Sequence, residues 1–200
     1  MTTRAQTPRT THRSAGGLCM VGAALLTVLA VTEIGSAVGP PVPGIDPWMG
    51  LAALGIVLTG AGVLETARAR LAGPGPLATT GAVVALLGTL VFVVAHVLAF
   101  LDGSRSDSPI FPVGQVLQAV GMVVLGIAVL WGHRWTGPGR VTPLVCGLYP
   151  VLVLIPVFAV SGAPNFVAIA GYGLTWLAFG AALASTRTDE TPLPEGIHRS

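Results

Sequence analysis

Apolar residues along this chain fall into six runs of bilayer-crossing length, with polar residues confined to the short intervals between them. The runs cover about 16–37, 48–67, 78–100, 111–132, 142–161 and 165–185. Each is near the ~20 residues an α-helix needs to cross a ~30 Å hydrocarbon core. The intervals are built from helix breakers: Gly39-Pro40-Pro41-Val42-Pro43-Gly44 after the first run, then Gly73-Pro74-Gly75-Pro76 and Gly137-Pro138-Gly139. Proline cannot donate to the helix ladder, and glycine with proline sets stiff turns. The pattern predicts an all-α fold, a six-transmembrane-helix bundle over residues 15–185. Polar tails at 1–14 and 186–200 are expected to be disordered.

Charge gives the bundle a direction. Every one of the ten basic residues is arginine. Arg4, Arg9, Arg13, Arg68, Arg70, Arg134, Arg140, Arg187 and Arg199 all fall on the side of the two chain ends, and Arg105 alone falls on the other. By the positive-inside rule both termini are expected to be cytoplasmic. Composition agrees, with 52% hydrophobic and 9% charged residues, against ~25% charged in soluble domains. Almost the whole length is consumed by spans, which leaves no room for a soluble catalytic domain. The net charge of +2 fits topology and anionic headgroups rather than nucleic acid. Arginine without lysine, among abundant Ala, Gly, Val, Leu and Pro, points to a GC-rich bacterial genome and so to the bacterial inner (plasma) membrane. The first span also imitates a secretory signal, with Arg4, Arg9 and Arg13 ahead of Leu18–Val31 and then Gly35-Ser36-Ala37. The long N-terminal region and Glu33 favour a retained span; cleavage would leave five.

Spans two and four share a pattern. Gly55, Val57, Gly60, Val63, Leu64 and Arg68 recur 66 positions later as Gly121, Val123, Gly126, Val129, Leu130 and Arg134. Both runs start on the same side, as a parallel duplication of helical hairpins requires, although glycine-rich helices also match by chance. Small residues let helix backbones approach where lipid offers little hydrophobic drive. No strict small-xxx-small ladder dominates, so a compact monomeric bundle is expected. Pro150 and Pro156 inside span five predict a kink. Trp48, Trp131 and Trp135 are placed at headgroup depth as anchors, and Trp176 lies mid-span.

Candidate chemistry rests on polar residues where lipid should be. Glu33 and His96 lie near the non-terminal ends of spans one and three, at similar depth by a rise of ~1.5 Å per residue. Gln115 and Gln118 open span four from that side, and Asn165 opens span six; Asp46, Asp102 and Asp107 wait in adjoining loops. Ionisable groups inside spans usually face the bundle interior or a wet cavity. The expectation is an outward-facing polar pocket with a Glu33–His96 hydrogen bond at its centre, suited to a proton relay, a cation or a polar headgroup. The alternative is structural, with Glu33 snorkelling to water and His96 bonding a nearby carbonyl. No metal site is expected from one His and one Glu, and no haem or other cofactor, since His12, His133 and His198 lie outside the spans. Cys19 and Cys146 read as small core residues; Tyr149 and Tyr172, mid-span, could hydrogen-bond between helices, with core packing the preferred reading. Ser161-Gly162 lacks the Gly-x-Ser-x-Gly context of a serine hydrolase, and no Walker, Rossmann or zinc-protease pattern is present.

Leu125-Gly126-Ile127-Ala128-Val129-Leu130 and the run Gly171–Gly180, punctuated by Trp176, resemble the small six-span membrane proteins of unknown function found in GC-rich bacteria. The resemblance implies an all-helical bundle and carries no functional residues. The leading functional expectation is a non-enzymatic membrane-embedded binding or accessory module. Its partners would be the lipid bilayer with a small polar ligand, a lipid headgroup or a partner membrane protein. A small-solute or proton-coupled transporter is the alternative; it would need a polar path, of which only Thr27, Thr59 and Thr175 are visible in the inner halves of the spans.

Overall fold

A computed structural model of the chain describes residues 10–35, 46–102, 110–161 and 164–186. Residues 1–9 and 187–200 of the tails, the 36–45 loop, residues 162–163, Arg105 and Asp107 lie outside the described residues, as do the expectations drawn for them. Six long apolar helices follow one another: α1 (Thr10–Gly35), α2 (Pro47–Arg68), α3 (Pro76–Asp102), α4 (Ile110–Gly132), α5 and α6 (Phe166–Ser185). Helix α5 is composite. It runs Thr142–Tyr149, passes through a wide π-helical turn at Pro150–Leu154 and resumes as Ile155–Ser161. No strand occurs among the described residues. This is a six-span helical bundle of a multi-pass membrane protein, as the hydrophobic pattern predicts. In lipid a helix satisfies all its backbone groups internally, which explains why runs of this composition adopt no other form.

Local signals set the ends. Asp46 caps α2 by accepting from Trp48 N at 3.0 Å, and Pro47 takes the first helical position, where its missing N–H is no loss. Asn165 caps α6 in the same way, accepting from Ala168 N at 3.0 Å. Helix α1 starts at Thr10, six residues ahead of the first apolar run.

The helices form a closed ring in which each packs antiparallel on its two neighbours, α6 returning to α1. Met122, Leu125, Val129, Trp176, Phe179 and Leu183 fill it, and Phe179 reaches across to Gly62 of α2. Trp176 is buried in this core. Trp135 is buried as well, 2% exposed, with its ring 6.1 Å from that of Phe179. The expected headgroup anchor at Trp135 is therefore a core residue: the turn after α4 folds the indole under the bundle. Trp131 remains exposed at 73%.

Glycines set the helix spacing. On α3, Gly81 and Gly88 face α4; on α4, Gly114 and Gly121 face α3. Each pair is seven residues apart. A Cβ at Gly81 would lie 2.5 Å from Leu125 N, one at Gly114 2.7 Å from Phe92 N, and those at Gly88 and Gly121 would overlap Gln118 N and Ala85 N. Gly173 and Gly180 of α6 repeat the spacing against Thr27 and Gly16 of α1. A seven-residue repeat keeps the small face toward its partner along the whole crossing. It also escapes a search for four-residue small ladders.

The sequence match between α2 and α4 has a spatial counterpart. Gly55 faces the preceding helix, at Leu26 and Gly22, and its match Gly121 faces the preceding helix at Ala85. Gly60 faces the following helix at Thr89, and its match Gly126 faces the following helix at Leu144. The turns agree too: a non-glycine residue with positive φ, Arg70 (52°) or His133 (50°), precedes a glycine with positive φ, Gly73 (88°) or Gly137 (87°).

In α5 the departure from α-geometry sits where the prolines predict it. Pro150 brings no N–H, and the Ile155 N–H bonds Pro150 O five residues back. Beyond this turn, no residue of Ile155–Ser161 is buried.

Replacing Gly121 by Ala should destabilise the bundle by about 1–3 kcal/mol, as overpacking does. Gly17→Ala, where a Cβ meets nothing within 4 Å, should be neutral or slightly stabilising. Reversible unfolding in detergent would compare the two, and an equal effect at both positions would contradict the close packing of α3 on α4.

Candidate functional site

The Gln118 carboxamide is 2% exposed, deep in an apolar bundle, and such a group must find partners or shed them at a cost. It finds two. Its Nε2 donates to Thr89 Oγ1 of α3 at 2.9 Å, and its Oε1 accepts from the Tyr172 hydroxyl of α6 at 3.1 Å. Thr89 in turn donates to Ala85 O of its own helix at 2.9 Å. One side chain on α4 thus joins three helices. Gly88 lets α3 approach the Gln118 backbone closely enough for this contact.

The cluster extends to α5. Tyr149 donates to Ala168 O of α6 at 3.1 Å and stacks on Tyr172, ring centres 6.0 Å apart. Gly171 makes room for the Tyr149 hydroxyl, which a Cβ there would overlap. Tyr172 also meets the edge of Trp176 at 6.1 Å. Tyr149 is the last residue before the π-helical turn, so that turn begins beside the cluster.

Gln115 lies one helical turn from Gln118, toward the non-terminal face, and beside the Tyr172 hydroxyl. Although the Tyr172 hydroxyl is within reach, it already donates to Gln118 Oε1, and the buried Gln115 Nε2 makes no hydrogen bond of good geometry. Gln115 and Gln118 are therefore brought together as expected, but around two tyrosines and a threonine rather than around Glu33 and His96.

The expected Glu33–His96 hydrogen bond does not form. His96 Nδ1 donates to Phe92 O one turn back, at 2.8 Å, so the neutral ring keeps only Nε2 as an acceptor. Phe92 and Phe111 wall the ring edge-on, with centres at 4.6 and 4.8 Å. Topology separates the two residues as well: α1 packs on α2 and α6, whereas α3 packs on α2 and α4. Glu33 is half-buried on α1. Asn165 is occupied as the α6 cap, and Asp46 as the α2 cap. No three His, Cys, Asp or Glu side chains converge among the described residues. Cys19 and Cys146 are buried free thiols that donate to adjacent carbonyls of α6, Trp176 O at 3.7 Å and Thr175 O at 3.3 Å.

Chemically the cluster is uncharged. It offers an amide donor to an acceptor oxygen, with aromatic faces alongside. Tyr149 and Tyr172 make the interhelical hydrogen bonds that the sequence offers as the alternative to core packing. What distinguished them was a hydroxyl in each of two spans, both far from the helix ends.

No protein-family model, curated protein or solved structure matches this chain.

Gln118→Leu should destabilise the bundle by about 1–3 kcal/mol. It removes two interhelical bonds, each worth ~0.6 and at most ~1.7 kcal/mol in membrane bundles, and orphans the Tyr172 hydroxyl. Gln115→Leu should leave stability unchanged or raise it, since an unpartnered buried donor is lost. Unfolding of the two variants in one detergent tests this; a larger loss for Gln115→Leu would refute the assignment.

Proposed function

We propose that this chain is a non-enzymatic, membrane-embedded binding module of the bacterial inner membrane, with both termini cytoplasmic. Its site is the polar cluster around Gln115, Gln118 and Tyr172, reached from the non-terminal face. The ligand is a small uncharged molecule or the neutral polar part of a lipid, held through an acceptor oxygen. The observation that carries this reading is the buried Gln115 Nε2 without a partner, next to a network whose other members are paired. Buried donors are normally satisfied, and an orphan at a polar cluster is where a ligand atom fits.

Charge supports the orientation. Arg13, Arg68, Arg70, Arg134 and Arg140 are exposed on the terminal face, which also holds Glu65, while Glu33, Asp46 and Asp102 are the described acidic residues of the opposite one. Packing favours binding over transport. Between the cluster and the terminal face the interior is filled by Met122, Leu125, Val129 and Phe179. Thr27, Thr59 and Thr175, the residues a polar path would use, turn their hydroxyls back to Ala23 O, Ile56 O and Tyr172 O of their own helices.

A cysteine at position 115, in a background with Cys19→Ala and Cys146→Ala, reports access. In sealed vesicles of known orientation, a small membrane-impermeant thiol reagent should label it from the non-terminal face only. Labelling from both faces would establish alternating access and transport in place of binding. Absence of labelling from either face, in folded protein, would remove the outward-facing site.

A further inference from the structure

A second concavity lies at the opposite end of the molecule. On the terminal face, a cleft of about 370 Å³ opens between α2, α3 and α4, within the ~300–1,000 Å³ range of small-molecule sites. Its mouth carries Arg70 and Thr79, and its wall is Val83 and Leu86, with Ala82 and Leu125 buried behind them. Thr79 and Leu86 are two turns apart on α3, so the apolar wall descends about 10 Å from the polar mouth.

The mouth is built by an unusual helix ending. Leu71 N bonds Thr66 O at 3.1 Å and Arg70 N bonds Ala67 O at 3.1 Å, the paired bonds of a Schellman cap. That cap needs its Arg70 position in the left-handed region, where glycine is the usual residue. Here φ is +52° at an arginine, and a side chain in that conformation carries strain. Gly73 N closes the turn on Arg70 O at 2.9 Å. The backbone under the guanidinium is thus fixed, and the side chain is exposed beside an apolar cleft. No described acidic side chain pairs with it. Arg68, Arg134 and Arg140 are exposed on the same face against one described carboxylate, that of Glu65, so the net charge around the mouth is positive.

We propose that this cleft binds one anionic phospholipid from the surrounding leaflet. Arg70 takes the lipid phosphate, with Thr79 beside it, and an acyl chain lies along Val83 and Leu86. A cation at the headgroup level above a two-turn apolar wall matches a phospholipid in both charge and polarity sequence. A soluble anion would leave the apolar wall uncovered, and a zwitterionic lipid would leave the positive field unbalanced. The site lies on the face away from the Gln115 cluster and does not depend on that reading.

The strain at Arg70 makes the test selective. Purified protein in a zwitterionic detergent is unfolded thermally with added phosphatidylglycerol, phosphatidylcholine or inorganic phosphate, and bound lipid is counted by native mass spectrometry. Phosphatidylglycerol should raise the unfolding temperature and be retained at one per chain, while phosphatidylcholine and phosphate should do neither. Arg70→Gly should be at least as stable as the parent without lipid, because the strain is relieved. It should bind phosphatidylglycerol about tenfold more weakly, the weight of one charge-assisted hydrogen bond. Arg140→Gln, with the same change in net charge, should keep parental affinity, and Leu86→Trp, which fills the wall, should lose it. The proposal is overturned if phosphatidylcholine stabilises equally, if phosphate alone reproduces the shift, or if Arg70→Gly and Arg140→Gln weaken binding alike.

Discussion

Everything in this bundle depends on how closely α3 and α4 approach. Lipid tails are as apolar as the side chains they meet, so burying leucine between two spans gains little. What remains is dispersion between well-fitted surfaces, which grows as backbones come together. Gly81, Gly88, Gly114 and Gly121 remove the side chains that would hold α3 and α4 apart, and Gly173 and Gly180 do the same for α6 against α1. Side-chain bulk is displaced to the lipid face, where Leu87, Leu90 and Val120 are exposed, and to the centre of the ring, where Phe179 and Trp176 fill the space.

That approach also makes the polar cluster feasible. A carboxamide on α4 reaches a threonine on α3 only because nothing intervenes at Gly88. Once Gln118 is placed, its two halves demand one acceptor and one donor, and Thr89 and Tyr172 supply them. The cluster ties three helices at a depth where an unsatisfied group is expensive. Gln115, one turn away, meets no such pair. The same geometry that completes one amide leaves the other incomplete, and the contrast between these two glutamines marks the candidate site.

The architecture was legible in the sequence because run length, breakers and hydropathy all report the same thing. Five of the six spans appear within two residues of their predicted ends while α1 begins six residues early, and Pro150 marks the point where α5 leaves α-geometry. The site was legible only in part. Gln115 and Gln118 stand out as amides in an apolar run, and their neighbourhood follows from a spacing of three. Glu33 and His96 looked paired because depth is readable from sequence while lateral position is not. Two residues at one level of a ring lie on different helices, and helix order around the ring is a tertiary fact. His96 then took its nearest acceptor, the Phe92 carbonyl on its own helix. Asn165 and Asp46 were drawn into the pocket by proximity, yet each sits where a helix start needs a side-chain oxygen. Trp135 shows the same limit, since headgroup depth fits an interfacial ring and a core ring equally until the turn is traced.

The closed, alternating order of the helices fixes their parity. Neighbours run in opposite directions all the way round, and α6 meets α1 along its length through Gly180 and Gly16. A circle of alternating members closes only on an even number. Without α1 the remaining five would bring α2 beside α6, and those two point the same way. Gly55 of α2 is also shaped to receive Leu26 of α1, a fit that α6 does not supply. The first helix is therefore the closing member of the circle, and the arrangement of the other five presupposes it.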